Sequence, residues 1–153
     1  MPPPPNLAQL KQQLQYPGMS WVESRITEAW IAAHGAEYDS ISFNVRLGAG
    51  ASLGEDFSES TRRMAAAVST PRADIVALRA GLVTIIEVKV RIGLGAIGQL
   101  RGYRHLWAEA FADAGSIRLL AIGRSILPDA VSVFAVEGID YELFERVELD
   151  SAT

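Results

Sequence analysis

Apolar residues recur every three or four positions in several stretches of the chain, the spacing of a helix with one buried face. Leu7, Leu10 and Leu14 share one side of a short helix predicted from Leu7 to about Gln15, with Asn6 as its cap and Tyr16-Pro17-Gly18 as its end. Val22, Ile26, Ala29, Trp30 and Ala33 give an apolar face to a second helix, from about Ser20 to Ala33, which His34-Gly35 stops. A third runs from about Ala96 to Ala114, with Ile97, Leu100, Tyr103, Trp107, Ala110 and Phe111 as its stripe. Elsewhere the pattern is that of strands. Ile41 to Leu47 alternates, which places Ile41, Phe43, Val45 and Leu47 on one face. Arg72 to Arg79 and Leu82 to Val90 flank Ala80-Gly81 and predict a hairpin. Ile117 to Ile122 is almost continuously apolar, as expected of a strand covered on both faces. Val131 to Val136 and Tyr141 to Val147 read as two further strands. Gly48 to Thr70 reads as irregular, with a short helical turn at Met64 to Val68.

This order of helices and strands predicts an α/β domain. A chain of 153 residues is the size of one domain with a sufficient core, so residues 6–153 are read as a single domain behind a proline-rich arm, residues 1–5. The apolar runs are too short to span a membrane. With no cysteine, zinc ribbons, thiol nucleophiles and disulfide frameworks are excluded. The N-terminus has neither the basic start nor the apolar core of a signal peptide, and a cytoplasmic location is expected. The net charge of −4 argues against binding nucleic acid through bulk positive charge. It leaves room for a nucleic-acid enzyme whose carboxylates hold a cation shared with substrate phosphates.

The chemistry concentrates in the predicted hairpin. Glu87 and Lys89 fall on one face of the second strand, and Asp74, near the start of the first, can be brought beside Glu87. Carboxylate and carbonyl oxygens in such a cluster suit Mg²⁺ or Mn²⁺, which keep waters and accept phosphate oxygens. Taken alone, Glu-x-Lys reads rather as a solvated ladder on an exposed sheet face, and its surroundings change that. Gln99 and Tyr103, four apart, share a face of the following helix. Glu23 borders the stripe of the second helix, and Ser20-Trp21-Val22-Glu23 also has the form of a capping box.

Glu23, Asp74, Glu87-Val88-Lys89 and Gln99-x-x-x-Tyr103, in this order, resemble the PD-(D/E)xK nuclease superfamily, and within it the RecB-type branch with a Gln-x-x-x-Tyr helix. The resemblance covers roughly residues 20–123. It implies a restriction-endonuclease-like fold, a mixed β-sheet flanked by helices on an αβββαβ core. It implies metal-dependent hydrolysis of phosphodiester bonds in nucleic acid, DNA ahead of RNA. Asp74, Glu87 and the backbone carbonyl of Val88 then bind Mg²⁺ or Mn²⁺, with Glu23 as an added ligand. Lys89 positions the attacking water and offsets negative charge. Gln99 orients Lys89 or the substrate, and Tyr103 buttresses that end of the helix. The proline of the motif is absent, since Ala73 precedes Asp74 and the nearest proline is Pro71.

Arg62, Arg63, Arg91 and Arg101 are candidate contacts to backbone phosphate. His34 and His105 lack a ligand-spaced partner and read as a helix end and a surface residue. Gly93-Leu94-Gly95-Ala96-Ile97-Gly98 is a G-x-G-x-x-G after a strand, which makes nucleotide-cofactor binding an alternative. Another is a non-catalytic module of the nuclease fold, binding nucleic acid or serving assembly in a phage or mobile element. A symmetric homo-oligomer is compatible with so small a domain.

Overall fold

The computed structural model describes residues 16–48, 50, 53–111 and 115–149. The proline-rich arm and the helix expected from Leu7 to Gln15 lie outside them. In chain order the elements are α1 (Trp21–His34), a 3₁₀ turn (Gly35–Glu37), β1 (Ser40–Arg46), α2 (Glu59–Ser69), β2 (Arg72–Arg79), β3 (Leu82–Ile92), α3 (Gly95–Ala110), β4 (Ile117–Ile126), α4 (Pro128–Glu137) and β5 (Asp140–Leu143).

The strands form one mixed sheet in the order β1-β2-β3-β4-β5. β1, β2 and β3 are antiparallel neighbours, and β3–β4 and β4–β5 are parallel. Parallel neighbours need a crossover long enough to return to the same end of the sheet. α3 and α4 supply the two crossovers. Ile26 and Trp30 of α1 cover one face of the sheet, against Ile75, Ala77, Ile86, Val88, Leu120 and Ile122. Leu100 and Tyr103 of α3, with Ala130 and Phe134 of α4, cover the other, against Val76, Val83, Ile85, Leu119 and Ala121. The molecule is therefore α/β, a mixed sheet between helices.

Four expectations differ from the structure, three of them in the elements themselves. Val131 to Val136 is helix, not strand, and lies within α4. Pro128 opens α4, where its missing N–H costs nothing, and Gly138 closes it at φ +67°. A six-residue apolar run does not distinguish strand from helix by itself; the parallel β4–β5 pair decides it, because it requires a crossover. Tyr141 to Val147 contains only a short strand, β5, followed by turns. Within the stretch read as irregular, α2 is a full helix, started by Ser58, whose hydroxyl accepts the Thr61 N–H.

β1 departs from plain alternation. Ile41 and Phe43 pack in the α1 layer, whereas Val45 and Leu47 pack in the α3 layer. The four do not share one face. The switch falls at Asn44, whose φ is +52°.

Candidate active site

β3 is the central strand, and an unbroken buried run from Val83 to Val88 includes an acid. Glu87 is only 4% exposed, so it is no member of a solvated surface ladder. An ionised carboxylate so placed is costly unless it is paired or liganded. The Lys89 ammonium stands 3.4 Å from Glu87 Oε1, with about a third of its own side chain open to solvent (37%). Glu87 Oε2 is enclosed and has no hydrogen-bond partner.

The paired rungs of β2 and β3 end at Ile75 opposite Ile86. Just beyond, Asp74 Oδ2 accepts the Val88 backbone N–H at 2.8 Å. The carboxylate of β2 is thereby held against the strand that carries Glu87. Burial pushes the Asp74 carboxyl above its usual range, with the Val88 N–H working against the shift and Glu23 adding to it. Burial and then the Asp74 charge push Glu87 from 4.5 up to about 8. Two carboxyls that resist ionising together are a site short of positive charge.

α3 closes the site from the sheet face. Tyr103 is buried, and its phenol lies near enough to Glu87, Asp74 and Gln99 to feel all three. Burial and the charges of Glu87 and Asp74 hold the phenol well above its ordinary range. Gln99, one turn earlier on α3, lies beside Tyr103.

Glu23 is the N3 residue of a complete capping box at the start of α1. Its N–H bonds to Ser20 Oγ at 3.2 Å, and its Oε1 accepts the Ser20 N–H at 3.3 Å. It also acts electrostatically on Asp74. Both meanings of Ser20-Trp21-Val22-Glu23 are therefore present in one side chain.

The arginines are less tightly grouped. Arg62 and Arg63 are exposed on α2, and Arg91 is exposed near the end of β3. Arg101 ion-pairs with Glu137 of α4. By helical spacing it faces away from Gln99 and Tyr103. His34, read from the sequence as a helix end, places its Nε2 2.8 Å from Glu142 Oε1 on β5, a partner the sequence did not reveal. It ties α1 to the edge of the sheet, remote from Asp74 in the chain and on another strand.

Among the described residues, no three His, Cys, Asp or Glu side chains converge to hold an ion by themselves. The donor set fits Mg²⁺ or Mn²⁺ all the same, since these ions take one or two carboxylates and complete their shell with water and phosphate. The partnerless Glu87 Oε2 and the raised carboxyls are what such an ion relieves.

The glycine-rich turn leads into α3 from β3. A Cβ on Gly93 would meet Leu127 Cδ1 at 3.2 Å, which gives that glycine a packing role. With three strands antiparallel, the sheet also differs from the doubly wound parallel sheet of dinucleotide-binding domains.

No family model and no curated relative matches the sequence. Among solved structures, the chain is similar to EndoMS in a complex with dsDNA, at 14% identity and a TM-score of 0.49, over 85% of this chain and 47% of that one. It is similar to a repair endonuclease from Pyrococcus abyssi, at 14% identity and a TM-score of 0.49, over 85% and 49%. It is also similar to AF1548, a protein of unknown function, at 15% identity and a TM-score of 0.50, over 78% and 56%. The chain spans about half the length of each. These are likenesses of fold at most. No helix among the described residues is long and apolar enough to cross a membrane.

Proposed function

We propose that the chain is a metal-dependent nuclease that hydrolyses phosphodiester bonds in DNA. The observation that carries this reading is the half-buried Asp74, held by the Val88 N–H against the strand that carries the buried Glu87, with Lys89 facing Glu87. Asp74, Glu87 and the Val88 carbonyl are the groups that hold Mg²⁺ or Mn²⁺, and Glu23 contributes from the start of α1. When bound, the ion supplies Lewis acidity at a phosphoryl oxygen and favours ionisation of a water.

The chain's own groups do the rest. Lys89 is partly open to solvent and fixed by Glu87, so it can orient a water and offset charge at the phosphorus. Tyr103, buried beside Glu87, backs that carboxylate from α3, with Gln99 next to it. Arg62, Arg63 and Arg91, all exposed, are the groups available to backbone phosphate. Arg101 is the weakest of the candidates, because Glu137 already engages it.

Calorimetric titration with Mn²⁺, beside cleavage of linear and circular DNA in Mg²⁺, Mn²⁺ or EDTA, tests the reading. Wild-type protein is expected to bind the ion and cut, and Asp74→Asn to do neither while remaining folded. A folded wild-type protein that binds no ion and cuts no substrate overturns it, in favour of a non-catalytic module.

A further inference from the structure

We propose that Asn44 is a positioning residue whose left-handed backbone sets where the Asp74 carboxylate stands. This rests on the reading of Asp74 and Glu87 as the ion-binding pair. Asn44 lies in mid-strand at φ +52°, a conformation that asparagine tolerates better than most side chains and that strands do not use.

No residue is inserted around it. Phe43 stays opposite Ile75, and Val45 stays opposite Ala73, which leaves Asn44 and Asp74 on the same rung. In a regular strand, residues two apart share a face. Here Phe43 and Ile75 join the α1 layer, while Val45 and Ala73 join the α3 layer. Both strands thus change faces across the Asn44–Asp74 rung. A residue at such a crossover can aim its side chain along the sheet rather than into either layer. Asp74 does so, taking the Val88 N–H at 2.8 Å just past the last β2–β3 rung.

The same asparagine also meets the entry to α1. A Cβ on Gly18 would stand 3.1 Å from Asn44 Oδ1, and Gly18 itself has φ +74°. Gly18 is two residues before Ser20, the cap that holds Glu23. Asn44 therefore sits between the strand that delivers Asp74 and the segment that leads to Glu23. Backbone strain of this kind persists where surrounding structure fixes it, and it is used to hold functional groups in place.

The test compares Asn44→Ala, which disfavours the left-handed backbone, with Asn44→Gly, which permits it. Hydrogen exchange of the Val88 amide is followed by NMR in metal-free protein, and Mn²⁺ affinity by calorimetry. Asn44→Ala is expected to expose the Val88 amide and to weaken Mn²⁺ binding by roughly tenfold, the low end for loss of a group that orients ligands. Asn44→Gly is expected to stay near wild type in both. Wild-type Val88 exchange in Asn44→Ala overturns the proposal, as does an equal loss in Asn44→Gly. If Asn44→Ala does not fold, Asn44→Gly and Asn44→Asp stand in, and lost Val88 protection in either overturns it. If wild-type protein binds no Mn²⁺, the ion-binding reading fails and Val88 exchange alone decides the role of Asn44.

Discussion

Replacing Glu87 by glutamine should stabilise the metal-free protein at alkaline pH while abolishing ion binding. Glu87 is raised from 4.5 to about 8, first by burial and then by Asp74. Between those values the folded chain keeps a proton that the unfolded chain has lost. Stability is therefore fully present below pH 4.5 and is lost as pH rises through about 8. At about 1.4 kcal/mol per unit, the whole shift corresponds to roughly 5 kcal/mol, an upper bound because Asp74 shares the same interaction. About 4 kcal/mol of this falls between pH 5 and 9, and a domain of this size moves its midpoint by roughly 2–4 °C per kcal/mol, so the wild-type midpoint should fall by up to about 8–16 °C relative to Glu87→Gln over that range. The neutral amide keeps a donor beside Asp74 and carries no charge to bury. Thermal unfolding by circular dichroism in EDTA, across that range, gives the two curves. Mn²⁺ at about 100 times its dissociation constant should then restore about 2.7 kcal/mol to wild type and nothing to the variant. Parallel pH profiles for the two proteins, or a less stable Glu87→Gln at pH 9, would refute the reasoning.

Other outcomes follow from single contacts. His34 is raised above its usual range by its hydrogen bond to Glu142, so its contribution is present below about pH 6.5 and is lost as pH rises through the raised value. Removing it in His34→Ala should cost less than about 1 kcal/mol at pH 6 and still less at pH 9, read from urea midpoints; an equal cost at both would contradict the pairing. A Cβ on Gly123 would lie 2.5 Å from the Lys89 carbonyl oxygen and 2.8 Å from Ile92 Cγ1, so Gly123→Ala must shift the strand that carries Lys89. A loss of about 1–3 kcal/mol is expected by thermal denaturation, and an unchanged midpoint would count against the close β3–β4 approach. Phe134 is 1% exposed between α4 and the sheet, and Phe134→Ala should cost about 3–5 kcal/mol; a loss below 1 kcal/mol would argue against α4 as a packed helix.

The nearness of Asp74, Glu87 and Lys89 was more legible than parts of the fold. Asp74, Glu87, Lys89, Gln99 and Tyr103 stand at spacings that a hairpin and the next helix turn into proximity, so local geometry carried most of the information. What sequence could not give was the burial of Glu87, because the same Glu-x-Lys serves exposed strands, and depth depends on β4 and α3 covering β3. α4 was misread because Val131 to Val136 is short and almost wholly apolar, and only its place between parallel β4 and β5 makes it a helix. α2 was hidden by its polar first half, although its Ser58 cap was a signal available in the sequence. The change of face at Asn44 left no mark in the alternation itself, since the strand kept its register while its backbone turned. The partners of Arg101 and His34 lie 36 and 108 residues away, a separation no local pattern spans.

In the proposed function, Lys89, beside Asp74 and Glu87, serves phosphodiester hydrolysis. The most direct test is cleavage of supercoiled and linear DNA in Mn²⁺ by wild-type protein and by Lys89→Ala, with calorimetry confirming that the variant still binds the ion. Cutting by the wild type is expected, with none in EDTA and none by a folded, ion-binding Lys89→Ala. Full cleavage by that variant, or none by wild type under any of these conditions, would contradict it.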